Sequence, residues 1–90
     1  MPSHYAMLED KIAFQQKRSQ IFGTQIIVTG KKNKADVWPL INPDSVDIRR
    51  KSISMYETME MYLARFDIKW DIEKYKKELP KLKEKYGIKD

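Results

Sequence analysis

Gln20-Ile21-Phe22-Gly23-Thr24-Gln25-Ile26-Ile27-Val28-Thr29 is the stretch on which the fold class turns. Ile26, Ile27 and Val28 are β-branched and Phe22 is aromatic, so the whole decade reads as a strand between flanking segments of helical period. Gly23 weakens a strand and marks a bulge, or a place where another backbone or a ligand comes close. Thr24 and Gln25 then point to opposite faces. Two readings stay open. Gln20 and Gln25 form a polar wall that bonds a ligand, or Gly23 makes room for Trp38 across a hairpin while the glutamines satisfy nearby backbone groups.

Outward from that decade the elements fall into order. Gly30-Lys31-Lys32-Asn33-Lys34 is a charged loop, and Val37-Trp38-Pro39-Leu40-Ile41 returns as the second half of a hairpin. Pro39 cannot donate to a ladder, so this strand sits at an edge or stops early. Upstream, Tyr5, Leu8, Ile12 and Ala13 recur at helical spacing after Ser3, an N-cap residue, and predict a helix over 4–17 with Glu9, Asp10, Gln15 and Gln16 on its polar side.

Downstream, Asn42-Pro43 reads as an N-cap with proline in the first turn, opening a short helix over 43–51. Ile41 and Val46 are placed to staple that cap. Ser54-Met55-Tyr56-Glu57 is a capping box for a helix whose apolar face is Met55, Met59, Tyr62, Leu63 and Phe66. Ile72, Tyr75, Leu79, Leu82 and Tyr86 form a seam over 71–86 closed by Gly87. Pro80 predicts a kink there, or two short helices. Trp70 reads as a buried anchor that folds this tail back. The expected architecture is α+β: an N-terminal helix, a β-hairpin, then two to three helices packed as a single small domain. Residues 1–66 form its core and residues 67–90 a charged helical tail.

Ninety residues allow one domain. A chain of this size buries only about two thirds of the surface its unfolded form exposes. Apolar residues at 41% and charged residues at 34% suit a folded soluble domain. No apolar run reaches the roughly 20 residues of a membrane span, and the first residues lack a signal-peptide layout. Without cysteine there is no disulfide or thiolate chemistry, and the expected location is cytoplasmic. The net charge of +5 invites a nucleic-acid reading. However, most lysines of the tail are interleaved with Asp71, Glu73, Glu78 and Glu84, the pattern of a solvated helix face. The purer basic clusters are Lys17-Arg18, Lys31-Lys32-Lys34 and Arg49-Arg50-Lys51.

Catalytic patterns are sparse. His4 is the one histidine and reads as a surface or capping residue. No His/Asp/Glu spacing resembles a metal site, and the glycines are too scattered for a phosphate loop. No cofactor is expected. Met55, Met59 and Met61 read as core or interface filler. What remains is a polar constellation: Asp10, Gln20, Thr24, Gln25, Trp38, Asp47, Arg49 and Arg50. A carboxylate at Asp10 or Asp47 can orient Arg49 or Arg50, whose planar fork suits a carboxylate or phosphate. The same pair serves equally as a clasp between elements.

These blocks, in order, resemble a known pattern. Ala6-Met7-Leu8-Glu9-Asp10-Lys11-Ile12, Gln20 to Gln25, Trp38-Pro39-Leu40 with Asn42-Pro43, and Val46-Asp47-Ile48-Arg49-Arg50 look like the carboxy-terminal half of a bacterial family of unknown function. Its blocks read A-x-L-x-D-R-(I/V), Q-x-Y-G-T-Q, P-I-x-(D/N)-P and V-D-x-R-R, and the resemblance covers about residues 5–64. It implies that Asp10, Gln20, Gly23, Thr24, Gln25, Asp47, Arg49 and Arg50 form one cluster. Lys11 and Phe22 depart from the family's arginine and tyrosine. The family's additional N-terminal helical region, with its Gln-His pair, is expected to precede the point where this chain begins.

The leading expectation is a small cytoplasmic binding or interaction module. It recognises an anionic group on a small molecule or partner protein, with Trp38 as an apolar wall and a homodimer as one form of partner. The alternatives are a hydrolase-like half-enzyme whose catalytic part lies elsewhere, and a nucleic-acid binder using the Lys31–Lys34 loop with Arg49-Arg50-Lys51.

Overall fold

The chain forms an α+β domain in which a helix, a short antiparallel hairpin and three further helices follow in sequence, here in a computed structural model that describes residues 2–30 and 34–90. The elements are α1 (Pro2–Gln15), β1 (Ile26–Val28), β2 (Ala35–Val37), a 3-10 turn (Pro43–Ser45), α2 (Val46–Ser52), α3 (Met59–Ala64) and α4 (Ile72–Tyr86). The hairpin pairs Ile26 with Val37, Ile27 with Asp36 and Val28 with Ala35.

The first correction falls on the decisive decade. Only Ile26–Val28 is strand; residues 21–25 are a loop. Gln20 makes an isolated parallel bridge with Leu40, whereas residues 26–28 run antiparallel to 35–37. The chain must therefore reverse between them, with Gly23 at φ +73° inside the reversal. Positive φ is cheap only for glycine. A Cβ there would collide with the Met59 sulfur and meet a Leu40 methyl at 3.5 Å, so the close neighbours are those side chains and not Trp38.

The second correction concerns α1. The expected seam of Tyr5 and Leu8 is turned outward, 52% and 59% exposed. The buried positions are Ala6, Asp10 and Ala13, spaced i, i+4, i+7. Two small side chains let the helix sit close to the loop, and the carboxylate between them is what the loop bonds. Ser3 lies within the helix rather than capping it. The flanks are aromatic: Tyr5 meets Phe22 edge-on at 6.0 Å, and Phe14 meets Trp38 at 4.7 Å.

Further along, Asn42 adopts a left-handed conformation and makes no side-chain cap, and the expected 43–51 helix divides into the 3-10 turn and α2. Ser54, expected to open α3, sits at φ +62° in the turn after α2. Thr58 caps α3 instead, its hydroxyl accepting from the Met61 N–H at 3.2 Å. Asp47 Oδ1 accepts from the Met59 N–H at 2.8 Å, tying α2 to the start of α3. On α3, Met59 and Leu63 are buried, but Phe66 lies beyond its end and is largely exposed.

The tail follows its sequence closely. Asp71 caps α4 through the Lys74 N–H, Gly87 ends it in the left-handed conformation, and one helix runs through Pro80 rather than two. Tyr75, Leu79 and Leu82 join the main core of Val37, Leu40, Val46, Met59 and Leu63. Trp70 packs against that core half-buried. Among the described residues no helix is long and apolar enough to cross a membrane.

Candidate functional site

Loop 20–25 is held from two sides by opposite charges. Its amides point at Asp10, which is fully buried. Oδ1 accepts from the N–H groups of Ile21 (2.9 Å) and Phe22 (3.0 Å), and Oδ2 from the N–H (2.9 Å) and hydroxyl (2.8 Å) of Thr24. Its carbonyls point at the arginines of α2. Arg49 Nε donates to Ile21 O at 2.8 Å, with its terminal nitrogens on the Asn42 and Ile41 carbonyls. Arg50 donates to Phe22 O (2.7 Å), Gly23 O (3.2 Å) and Glu57 O (2.7 Å).

The carboxylate therefore does not grip the arginines directly, as expected from sequence. It and they grip the donor and acceptor edges of the same peptide loop. A buried charge is tolerable only when such bonds replace its water. Burial pulls the Arg50 guanidinium below its ordinary pKa, and Asp47 and Glu57 oppose that shift. Arg49 is lowered by burial in the same way, opposed by Asp10. Both remain cationic at neutral pH.

The remaining sequence candidates close the clasp. Gln20 acts as a surrogate peptide: Nε2 donates to Gln25 O (3.0 Å) and Trp38 O (2.7 Å), while Oε1 accepts from Gln25 N (2.9 Å). Of the two readings of the glutamines, backbone satisfaction describes Gln20. The Gln25 side chain makes only a long contact, 3.4 Å, to the Thr24 hydroxyl. Trp38 is buried and donates from its indole to Arg18 O at 2.8 Å. Among the described residues no buried side-chain nitrogen or oxygen lacks a partner. Thus Asp10, Gln20, Thr24, Arg49 and Arg50 converge on one loop. Asp47, in α2, bonds instead to the Met59 N–H at the start of α3, and Trp38 meets the site through its carbonyl, which accepts from Gln20.

The clasp comes to the surface beside Tyr62. Tyr62 donates to Thr24 O at 2.8 Å, and its ring lies under the guanidinium carbons of Arg50 (5.0 Å) and Arg65 (5.1 Å). Next to it opens a cleft of about 300 Å³ whose border includes Met7, Thr24, Met55, Tyr56, Glu57, Tyr62 and Arg65. Burial raises the Tyr62 hydroxyl pKa, opposed chiefly by Arg50. Arg65 is 60% exposed and pairs with Glu57 at 2.6 Å.

Sequence reading singled out only Thr24 among these cleft residues for a binding role. The usable signal for the rest was Tyr62 followed three residues later by Arg65, a spacing that stacks a guanidinium on a ring within one helix.

Compared with known proteins, the chain matches no family model, no curated protein and no solved structure. Among the described residues no group of three or more histidines and carboxylates could hold a metal ion. The Lys31–Lys34 loop, a candidate nucleic-acid contact, falls for Lys31 and Lys32 outside the described residues.

Proposed function

We propose that this chain is a small binding module that recognises an anionic group on a small molecule or a partner protein, and that it does so at the cleft beside Tyr62. The observation that carries the reading is the contrast in commitment among the arginines. Arg49 and Arg50 spend their donors on backbone carbonyls, whereas the exposed Arg65 stands at the rim with one half-buried carboxylate partner. An exposed ion pair is worth about 0–1 kcal/mol, so an incoming carboxylate or phosphate can take the guanidinium from Glu57 at small cost. Met7, Met55 and Tyr56 supply adaptable apolar walls for whatever carries the anion. The lack of cysteine suits a reducing compartment, and the reading places the module in the cytoplasm.

The test is a titration with phenyl phosphate, which joins an anion to one ring, followed by nuclear magnetic resonance at Thr24, Tyr62 and Arg65. Saturable shifts confined to the cleft are expected. Arg65→Ala should weaken binding about tenfold, the effect of losing roughly 1.4 kcal/mol, while the urea midpoint barely moves. Unchanged affinity in that variant would remove the reading.

A further inference from the structure

A second cleft, of about 280 Å³, opens between β2 and the N-terminal half of α4, and it shares no lining residue with the first. Its floor is apolar: Leu63, Ile68 and Leu82 belong to the main core or pack against it, and Trp70 forms a wall with its ring 5.1 Å from that of Tyr75. The Tyr75 hydroxyl is turned away into the backbone, accepting from Leu40 N at 3.0 Å and facing Trp38 O at 3.2 Å. The bottom of the cleft therefore presents ring and aliphatic carbon rather than the Tyr75 hydroxyl.

Its rim carries three lysines, Lys34, Lys69 and Lys74, and three carboxylates, Asp36, Asp71 and Glu78. The formal balance is zero, but the two signs are not equally free. Asp36 accepts from Lys85 (2.8 Å) and from the Tyr86 hydroxyl (2.5 Å), and Asp71 accepts from the Lys74 N–H that it caps. Among the described residues no ion pair involves Lys34, Lys69 or Lys74. With Asp36 paired to Lys85, the rim keeps three cations against Asp71 and Glu78, because a backbone N–H leaves the Asp71 charge in place.

We propose that this cleft binds a small organic acid, an apolar body carrying one carboxylate, with the body between Trp70 and Leu82 and the carboxylate at Lys69 and Lys74. The volume is near the lower end of ligand cavities, ~300 Å³, which limits the body to about one ring or a short alkyl chain. The inference does not rest on the first cleft.

Phenylacetate and its uncharged analogue phenylacetamide are the probes, with resonances of the two indole N–H groups and the leucine methyls as readout. Phenylacetate should give saturable shifts at Trp70, Leu63 and Leu82, with phenylacetamide about fivefold weaker, the effect of roughly 1 kcal/mol of exposed-charge attraction. In the double variant Lys69→Gln, Lys74→Gln, which alters two exposed side chains, that preference should vanish while the amide binds as before. Equal binding of acid and amide by the unaltered protein overturns the proposal, as does a failure to saturate. A shift at the buried Trp38 indole as large as that at Trp70 also overturns it, because it reports a global response.

Discussion

Arg50 and Arg65 lie over the same tyrosine ring at nearly equal distance, yet they belong to two different regions of the molecule. Arg50 is fully buried, and three peptide carbonyls take its donors. Arg65 is open to water and holds a single carboxylate. The chemistry of the two side chains is identical, so the difference is entirely one of surroundings. In the buried region a charge replaces missing secondary structure: Asp10 and the arginines supply the bonds that a strand partner would have given residues 21–24. In the open region the charge has little to hold and remains available.

The comparison can be broken most severely at Asp10. Asp10→Ala strands three buried N–H groups and a hydroxyl, each costing about 1–3 kcal/mol when left unpaired. A loss of roughly 4 kcal/mol or more is expected, enough to leave much of a small domain unfolded, as circular dichroism against urea will read. Arg50→Ala frees three carbonyls and should cost roughly 2–4 kcal/mol in the same assay. If Arg50→Ala kept full stability, the distinction between buried clasp and open cleft would fail.

Gly23→Ala comes next. It forces an L side chain to φ +73° and drives the Met59 sulfur aside, for about 1–2 kcal/mol of backbone strain plus repacking. Arg65→Ala should cost under about 1 kcal/mol, because solvent screens the pair it breaks.

The smallest effect is a pH dependence at Asp36. Burial pushes its carboxyl pKa up, but bonds from Lys85 and Tyr86 and the charge of Lys85 outweigh that and leave it lowered. A depressed folded pKa means stability that is present above the unfolded value, about 3.9, and is lost as pH falls through the folded one. Asp36→Asn should therefore flatten the acid limb of the stability curve below about pH 4 and change little near neutrality.

Much of the fold was legible because local signals and tertiary demands agreed. Gly87 ends α4 in the left-handed conformation its residue type favours, and the seam from Tyr75 to Leu82 faces the core as its spacing requires. The β-branched run at Ile26–Val28 became strand. The candidate site was legible as a set of residues but not as an arrangement. Asp10, Gln20, Thr24, Arg49 and Arg50 do meet. Spacing could not reveal that, the Thr24 hydroxyl on Asp10 apart, they meet on peptide groups rather than on one another, because backbone atoms carry no sequence signature.

Ser54 and Thr58 both offer cap hydroxyls, and only the path of the chain after α2 selects Thr58. By itself the sequence determined that α4 ends at Gly87, that the β-branched Ile26–Val28 is strand, and that charge outweighs catalytic groups. Those properties follow from each residue's own conformational and hydrogen-bonding preferences. Tertiary structure alone decided that Tyr5 and Leu8 face outward while Asp10 faces inward. The energy of that choice lies in four bonds to a loop more than ten residues away, and no local preference contains it.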